Sequence, residues 1–352
     1  VCSSDLLTVF FNRCKWVLTF SLKKFCKKTA FMIPCPVVAM ILNISGRTDI
    51  VHYFSDWMFT RFKKREVFVR NPLFPNKVTH YELTPQKIDC IVFCSKNYDP
   101  VLDRLHEITD VFPSYFHYTI TAYGKDIEPG VPSIDESIDT LLHLEKLVGA
   151  HCIAWRYDPV LLTKKYTVQQ HLITFEHMAA RLSGHVDRCI FSFVEMYKKL
   201  SINMPELKPI TEDEKLLLAR GMGKIASKYN LPLQTCATNG DYQEFGIRPS
   251  GCMTLDILGR ANGIKFKNLK HKGMRKNCNC IETRDIGWYD TCPNGCRYCY
   301  ANSTPQKAIE NFKLHNPNSP ILLGEIKETD TIQQGNQRSL KFTIAFCGVE
   351  LA

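Results

Sequence analysis

From Met40 onward, short apolar runs rich in β-branched residues alternate with longer segments of helical period, and that cadence restricts the chain to few architectures. The candidate strands are MILNI at 40–44, CIVFC at 90–94, FHYTIT at 116–121, CIAWR at 152–156, CIFSFV at 189–194 and LQTC at 233–236. Between them lie amphipathic helices. In TVQQHLITFEHMAARLSG the residues Val168, Leu172, Phe175, Ala179 and Leu182 recur by four and three, and Gly184 supplies a stop. Capping boxes, Ser133 with Glu136 and Thr211 with Glu214, open two further helices, the second of which lines up Leu218, Met222, Ile225 and Tyr229. Strands alternating with helices predict a parallel sheet covered by helices. About six such repeats favour a full or partial β/α (TIM-like) barrel over a flat doubly wound sheet. The flat alternative normally carries a glycine-rich phosphate loop after its first strand, where this chain reads SGRTDI. The stretch REVFVRNPLFPNKVTHYEL reads as a small hairpin interrupting the pattern.

Composition permits a large core and shows no bias to disorder, with 45% hydrophobic and 23% charged residues in 352. The net charge of +10 invites a nucleic-acid reading, but Arg13, Lys15, Lys23, Lys24, Lys27 and Lys28 against Asp5 place +5 of it in residues 1–39. What remains argues against a nucleic-acid partner, despite a basic run at 264–276. Residues 1–39 lack a clean period and are read as a non-native leader, with a natural start expected at Met32 or Met40. Charges interrupt every apolar run of the leader, so no membrane span is predicted. The expected organisation is a β/α barrel over 40–250, a Cys-rich cluster-binding segment over 251–342 packed on it, and an unplaced tail over 343–352. Sixteen cysteines in a chain too large to need staples point to metal or redox use in a reducing, cytoplasmic compartment.

The densest chemistry lies in TCPNGCRYCYAN, where Cys292, Cys296 and Cys299 are spaced CxxxCxxC. Thiolates bind soft iron or zinc, and Pro293 with Gly295 favours a tight loop that turns three sulfurs to one side. Structural zinc usually pairs one CxxC with a second pair, so a set of three favours an iron–sulfur cluster, with zinc as the alternative. A second set, Cys236, Cys252, Cys278 and Cys280, is a candidate auxiliary cluster or zinc site that would pin the core-poor segment to the barrel. Its plain alternative is four buried cysteines. Cys90, Cys94, Cys152 and Cys189 sit inside apolar runs and read as core. Barrel sites gather at the carboxyl ends of strands, which makes Arg47, Asp49, Lys96, Asn97, Tyr123, Arg156, Asp158 and Glu195 candidates for catalysis or binding. Structural ion pairs are the competing reading for Arg47 with Asp49 and for Arg156 with Asp158. His171 and His177 lie six apart, the wrong interval for shared ligation, and read as surface or partly buried histidines.

CxxxCxxC with an aromatic residue before the last cysteine resembles the signature of radical S-adenosylmethionine enzymes. The chain from Met40 to Phe342 resembles more closely the DUF1848 family of bacterial and archaeal proteins, through SGRTDIV, VRNP, IVFCSKN, TAYGKDIEPGVP, WRYDPVLL, FSFVEMYKK and the terminal cysteine motif. The first resemblance implies a barrel whose three cysteines hold a [4Fe-4S] cluster, with Tyr298 beside the cofactor. The open iron would chelate S-adenosylmethionine, and the reduced cluster would cleave it to a 5′-deoxyadenosyl radical. Those enzymes carry the motif after their first strand, so a circular permutation is implied, with ETRDIGWYD as the strand feeding the loop. The implied function is an enzyme on an unknown small-molecule or macromolecular substrate, served by an electron donor. A non-enzymatic electron-transfer or redox-sensing iron–sulfur protein is the first alternative, and a repair-like enzyme acting on nucleic acid the weaker one.

Overall fold

The computed structural model describes residues 40–267, 278–337 and 339–341. The leader, the tail after 342 and most of the basic run lie outside them. In chain order the elements are β1 (Met40–Ile44), α1 (Ile50–Tyr53), α2 (Ser55–Lys64), β2 (Glu66–Arg70), β3 (Lys77–Glu82) and β4 (Ile88–Ser95). There follow α3 (His106–Thr109), β5 (Ser114–Thr119), α4 (Ile134–Val148), β6 (Ile153–Val160), α5 (Val168–Leu182), β7 (Arg188–Phe193) and α6 (Lys198–Asn203). The chain continues through α7 (Glu212–Lys228), β8 (Leu233–Thr235), β9 (Arg248–Pro249), α8 (Leu255–Asn262), β10 (Arg284–Asp285), α9 (Pro305–Lys313) and β11 (Thr331–Gln334).

Eight strands form one all-parallel sheet in the order β10-β1-β4-β5-β6-β7-β8-β9. The strands follow one another around the sheet and the last, β10, returns beside the first, which is the winding of a barrel. The ladder is nevertheless open, because β9 and β10 stand at its two edges. Both edge strands are two residues long and β9 ends in Pro249, which has no N–H to donate, so neither can carry a ladder to the other. The predicted hairpin forms as antiparallel β2 and β3, joined by β11 in a small second sheet.

Period-two alternation divides the large sheet into two faces. The outer face presents Leu42, Ile44, Ile91, Phe93, Phe116, Tyr118, Trp155 and Phe191 to the helices in the main core. Both predicted capping boxes are present: Ser133 and Thr211 accept from the N–H of Glu136 and Glu214, whose side chains bond back. The inner face has a separate core of Ile41, Cys90, Val92, Tyr115, Ala154 and Ile190, covered by Met253, Leu255, Ile257 and Leu258 from the segment after β9. Asn262 at the end of α8 seats this cover on β5, accepting from Ser114 N at 3.0 Å and donating to Ser114 O at 3.2 Å. Among the described residues no helix is long and apolar enough to cross a membrane.

Candidate functional site

The CxxxCxxC loop leaves β10 at the carboxyl end of the sheet. Asp285 ties β10 to the residue pair after β1 and also caps its own turn. Asp285 Oδ2 accepts the Gly46 N–H at 2.5 Å, and Asp285 Oδ1 accepts the Gly287 N–H at 2.8 Å. Gly46 is required there, because a Cβ would stand 2.2 Å from Asp285 Oδ2. Within the loop Gly295 has φ +67°, the left-handed region that glycine enters without strain. The loop backbone is held from outside: Asn294 O accepts the Gly130 N–H at 2.8 Å, and the Arg297 N–H donates to Ile127 O at 3.0 Å. Asn302 Nδ2 closes the loop on Cys292 O at 2.7 Å. Cys296 and Cys299 line a cleft of about 200 Å³ together with Asn203, Gly295, Arg297, Asn302 and Pro305.

Beneath the loop two carboxylates organise the strand ends. Asp49 accepts from Ser95 Oγ at 2.7 Å, Lys96 N at 3.0 Å and His52 N at 3.2 Å, with Asn294 Nδ2 of the cysteine loop at 3.4 Å. Burial pushes the Asp49 carboxyl up, against those hydrogen bonds. Glu128 accepts from Lys96 Nζ at 2.9 Å, from Thr121 Oγ1 at 2.7 Å and from the hydroxyl of Tyr298. Burial works against the Lys96 charge, but Glu128 and then Cys296 outweigh it and hold the ammonium above its ordinary range. Burial pushes the Cys292 thiol up to about 12, and pushes Cys296 well above its usual range with Glu128 adding to the effect. Both thiols are therefore protonated at neutral pH.

The other strand-end candidates divide. Arg47 Nε stands 3.9 Å from Asp285 Oδ1, so its partner is Asp285. Arg156 pairs with Asp158, which also accepts from Ser192 Oγ. Asn97 Oδ1 accepts the Asp99 N–H at 3.0 Å, a turn contact. Tyr123 OH donates to Pro159 O and accepts the Leu161 N–H, both at 2.8 Å, and its ring centroid lies 5.9 Å from that of Tyr298. Glu195 is exposed beyond β7. His171 departs from the reading of the sequence: it is fully buried, between Leu161 O at 2.8 Å and Tyr157 OH at 2.7 Å, because its helix turns it under β6.

The second thiol set converges on the inner face. The sulfurs of Cys236, Cys278 and Cys280 all lie within 4.8 Å of one another and could hold a metal ion; this is the one such group among the described residues. Cys252 Sγ is 3.3 Å from Cys280 Sγ, and Cys236 Sγ is 3.9 Å from it. The hydrogen bonds of Cys252 and Cys278 hold the Cys236 thiol below its ordinary range, while Cys236 in turn pushes Cys252 up. Cys236 follows β8 directly, and the stretches around Cys252 and Cys280 run side by side, with the Ile281 N–H donating to Met253 O at 2.7 Å.

The family model of a domain of unknown function, DUF1848, matches residues 41–301. The chain belongs to the DUF1848 family. The DUF1848 match runs from Ile41 in β1 to Ala301, so it takes in both thiol sets and all of the large sheet but Met40. No curated protein matches the chain, and no solved structure does.

Four residues of this DUF1848 site escaped the sequence reading: His117, Glu128, Asp285 and Asn294. His117 Nε2 donates to Cys252 O at 3.1 Å, which leaves Nδ1 to accept from the Cys94 thiol at 3.5 Å. Its signal was available, since period two sets it opposite Phe116 and Tyr118 as the polar member of an aromatic strand. Glu128 lies within TAYGKDIEPGVP, one of the stretches that carry the family resemblance, and Asp285 within ETRDIGWYD, the expected strand feeding the loop, but only the fold shows that they face the cysteine loop.

Proposed function

We propose that this DUF1848 protein is an iron–sulfur enzyme of the radical S-adenosylmethionine kind, with its cluster on Cys292, Cys296 and Cys299. The observation that carries the reading is the place of these thiols: one loop, at the carboxyl end of a parallel sheet, with two of them opening into a cleft. Ligands of parallel α/β sheets gather at that end. The donor set fits such a cluster. Three soft thiols lie in one loop, where Cys292 and Cys299 are near enough to act electrostatically on Cys296, the nearby carboxylates of Asp49 and Glu128 are already taken by hydrogen-bond donors, and the other four cysteines engage one another. With three protein ligands, such a cluster would keep one iron open for a cofactor.

When bound, the cluster would supply the electron that cleaves S-adenosylmethionine and begins radical chemistry on a substrate. The chain's own residues would prepare the place. Glu128 anchors the Tyr298 hydroxyl and with it the backbone leading into Cys299. Lys96 sets a positive charge beside Cys296, offsetting part of the negative charge of a thiolate-bound cluster. Asp49 and Tyr53 hold the Asn294 side chain, the latter through its hydroxyl at 3.0 Å from Oδ1. In this reading β10 plays the part of the first strand of those enzymes, a circular permutation that its pairing with β1 accommodates. The substrate, a small molecule or a macromolecule, and an electron donor would meet the protein at this end, in a reducing cytoplasm.

Anaerobic reconstitution with iron and sulfide, followed by dithionite and S-adenosylmethionine, tests the proposal. Formation of 5′-deoxyadenosine, with a cluster spectrum perturbed by the cofactor, is expected. A cluster indifferent to S-adenosylmethionine that yields no 5′-deoxyadenosine would leave an electron-transfer or redox-sensing protein instead.

A further inference from the structure

We propose that Cys236, Cys252, Cys278 and Cys280 form a closed four-thiolate site for a single zinc ion, which clasps the segment after β9 onto the open inner face of the sheet. This site is separate from the loop cluster and stands whether or not that cluster cleaves a cofactor.

Spacing decides between one ion and a cluster. Four sulfurs about 2.3 Å from a central ion form a tetrahedron with edges of about 3.8 Å. The Cys252–Cys280 and Cys236–Cys280 separations, 3.3 and 3.9 Å, fall on either side of that edge; Cys236, Cys278 and Cys280 lie within 4.8 Å of one another, and Cys252 joins them at Cys280. In a cubane cluster each cysteine takes a different iron and the thiolates point outward from the corners, so their sulfurs stand well beyond a single-ion edge. The donor set also matches zinc: four thiolates, closed, with no position reserved for water or substrate.

The backbone is built to bring these thiols together. Gly251, next to Cys252, has the 279–280 backbone so close that a Cβ would meet Asn279 O at 2.4 Å and Cys280 N at 2.8 Å. Gly251 O accepts from Gln234 Nε2 at 3.2 Å, tying the same turn to β8 two residues before Cys236. His117 from β5 fixes the Cys252 carbonyl. Four thiolates around a divalent ion leave a net charge of −2, and Arg156 of β6, half-buried and paired with Asp158, supplies a positive charge that acts on Cys252, Cys94 and Cys236. The ion has a mechanical task. The cover of the inner face is one short helix and two irregular strips, and β10 begins four residues after Cys280. A metal joining β8, the turn after β9 and the approach to β10 fixes where the cysteine loop leaves the sheet.

The full chain with Cys292, Cys296 and Cys299 all changed to Ala separates the two sites. Elemental analysis is expected to find one zinc per chain retained and iron lost; Cys252→Ala in that background is expected to lose most of the zinc. Zinc-edge X-ray absorption on the wild-type protein, which needs no variant, is expected to show four sulfur neighbours at about 2.3 Å. Cobalt exchanged into the site should give the intense visible bands of a tetrahedral thiolate complex. Iron with labile sulfide retained in the triple variant, three or fewer sulfurs around zinc, or zinc unaffected by Cys252→Ala would each overturn the proposal.

Discussion

The hydroxyl of Tyr298 donates to Glu128 Oε1, the same oxygen that Lys96 Nζ reaches at 2.9 Å. One carboxylate therefore ties the residue before Cys299 to the end of β4. Glu128 is 2% exposed, so removing it strands the Lys96 ammonium in a poorly solvated site. Breaking one side of a buried pair costs about 3–5 kcal/mol, and Glu128→Ala is expected to lose stability of that order in urea unfolding. Glu128→Gln keeps an acceptor for Tyr298 and is expected to fall between wild type and Ala, in stability and in iron retained after reconstitution. An Ala variant within ~1 kcal/mol of wild type would show that Lys96 finds solvent or another partner.

The approach of β10 to β1 gives a second prediction. In Gly46→Ala the new methyl would stand 2.2 Å from Asp285 Oδ2 and 2.7 Å from Asn43 Nδ2. The Asp285 carboxylate must shift and give up its bond to the Gly46 N–H, which loosens the tie between the end of β1 and the strand that leads into the cysteine loop. Overpacking of this kind costs about 1–3 kcal/mol, and a lower iron stoichiometry is expected alongside it. Unchanged iron content would mean that the loop is held by its contacts to Ile127 and Gly130 rather than by β10.

The sheet was legible because burial on both faces writes near-continuous apolar runs, and all six predicted strands lie within or overlap β1, β4, β5, β6, β7 and β8. The capped helices were legible because a capping box is a local signal. What could not be read was the edge: β9 and β10 have two residues each and no hydrophobic signature, so the open ladder appears only in three dimensions. The cysteines show the same division. Their spacing named both sets, but whether Cys236 and Cys252 meet Cys278 and Cys280 depends on contacts such as Gly251 against Asn279, which no spacing rule contains. Asn97 and Tyr123 were singled out as strand-end residues and prove to bond backbone groups, because strand ends also need their own polar groups satisfied.

Metal loading of the loop is expected to depend on pH. Burial holds Cys292 up to about 12 and Cys296 well above its usual range, so both enter the reaction as thiols and must surrender their protons to the metal. Affinity therefore rises with pH and falls as protons compete. Cobalt titrations between pH 7 and 9, in the full chain with zinc already in the four-thiolate site and with the Cys292, Cys296 and Cys299 triple Ala variant as the blank, are expected to tighten steeply and to release protons into a weakly buffered indicator solution. Loading that is flat over this range would mean that the thiols ionise before the metal arrives.

A separate pH dependence belongs to the core rather than to either thiol set. His171 donates from Nε2 to Leu161 O and accepts from Tyr157 OH at Nδ1, which describes a neutral ring. Burial pushes it down to about 4. In the unfolded chain the ring takes up a proton near pH 6.5, whereas in the fold it resists until the lower value. Stability from this residue is thus full at neutral pH and declines as pH falls from about 6.5 through about 4, by an amount of order 3 kcal/mol. Urea midpoints measured from pH 7 down to pH 4.5 are expected to fall more steeply for wild type than for His171→Gln, which cannot titrate. Parallel slopes for the two proteins would place the acid sensitivity elsewhere, with His117 the next buried histidine to change, since burial and then Arg156 hold it well below its ordinary range.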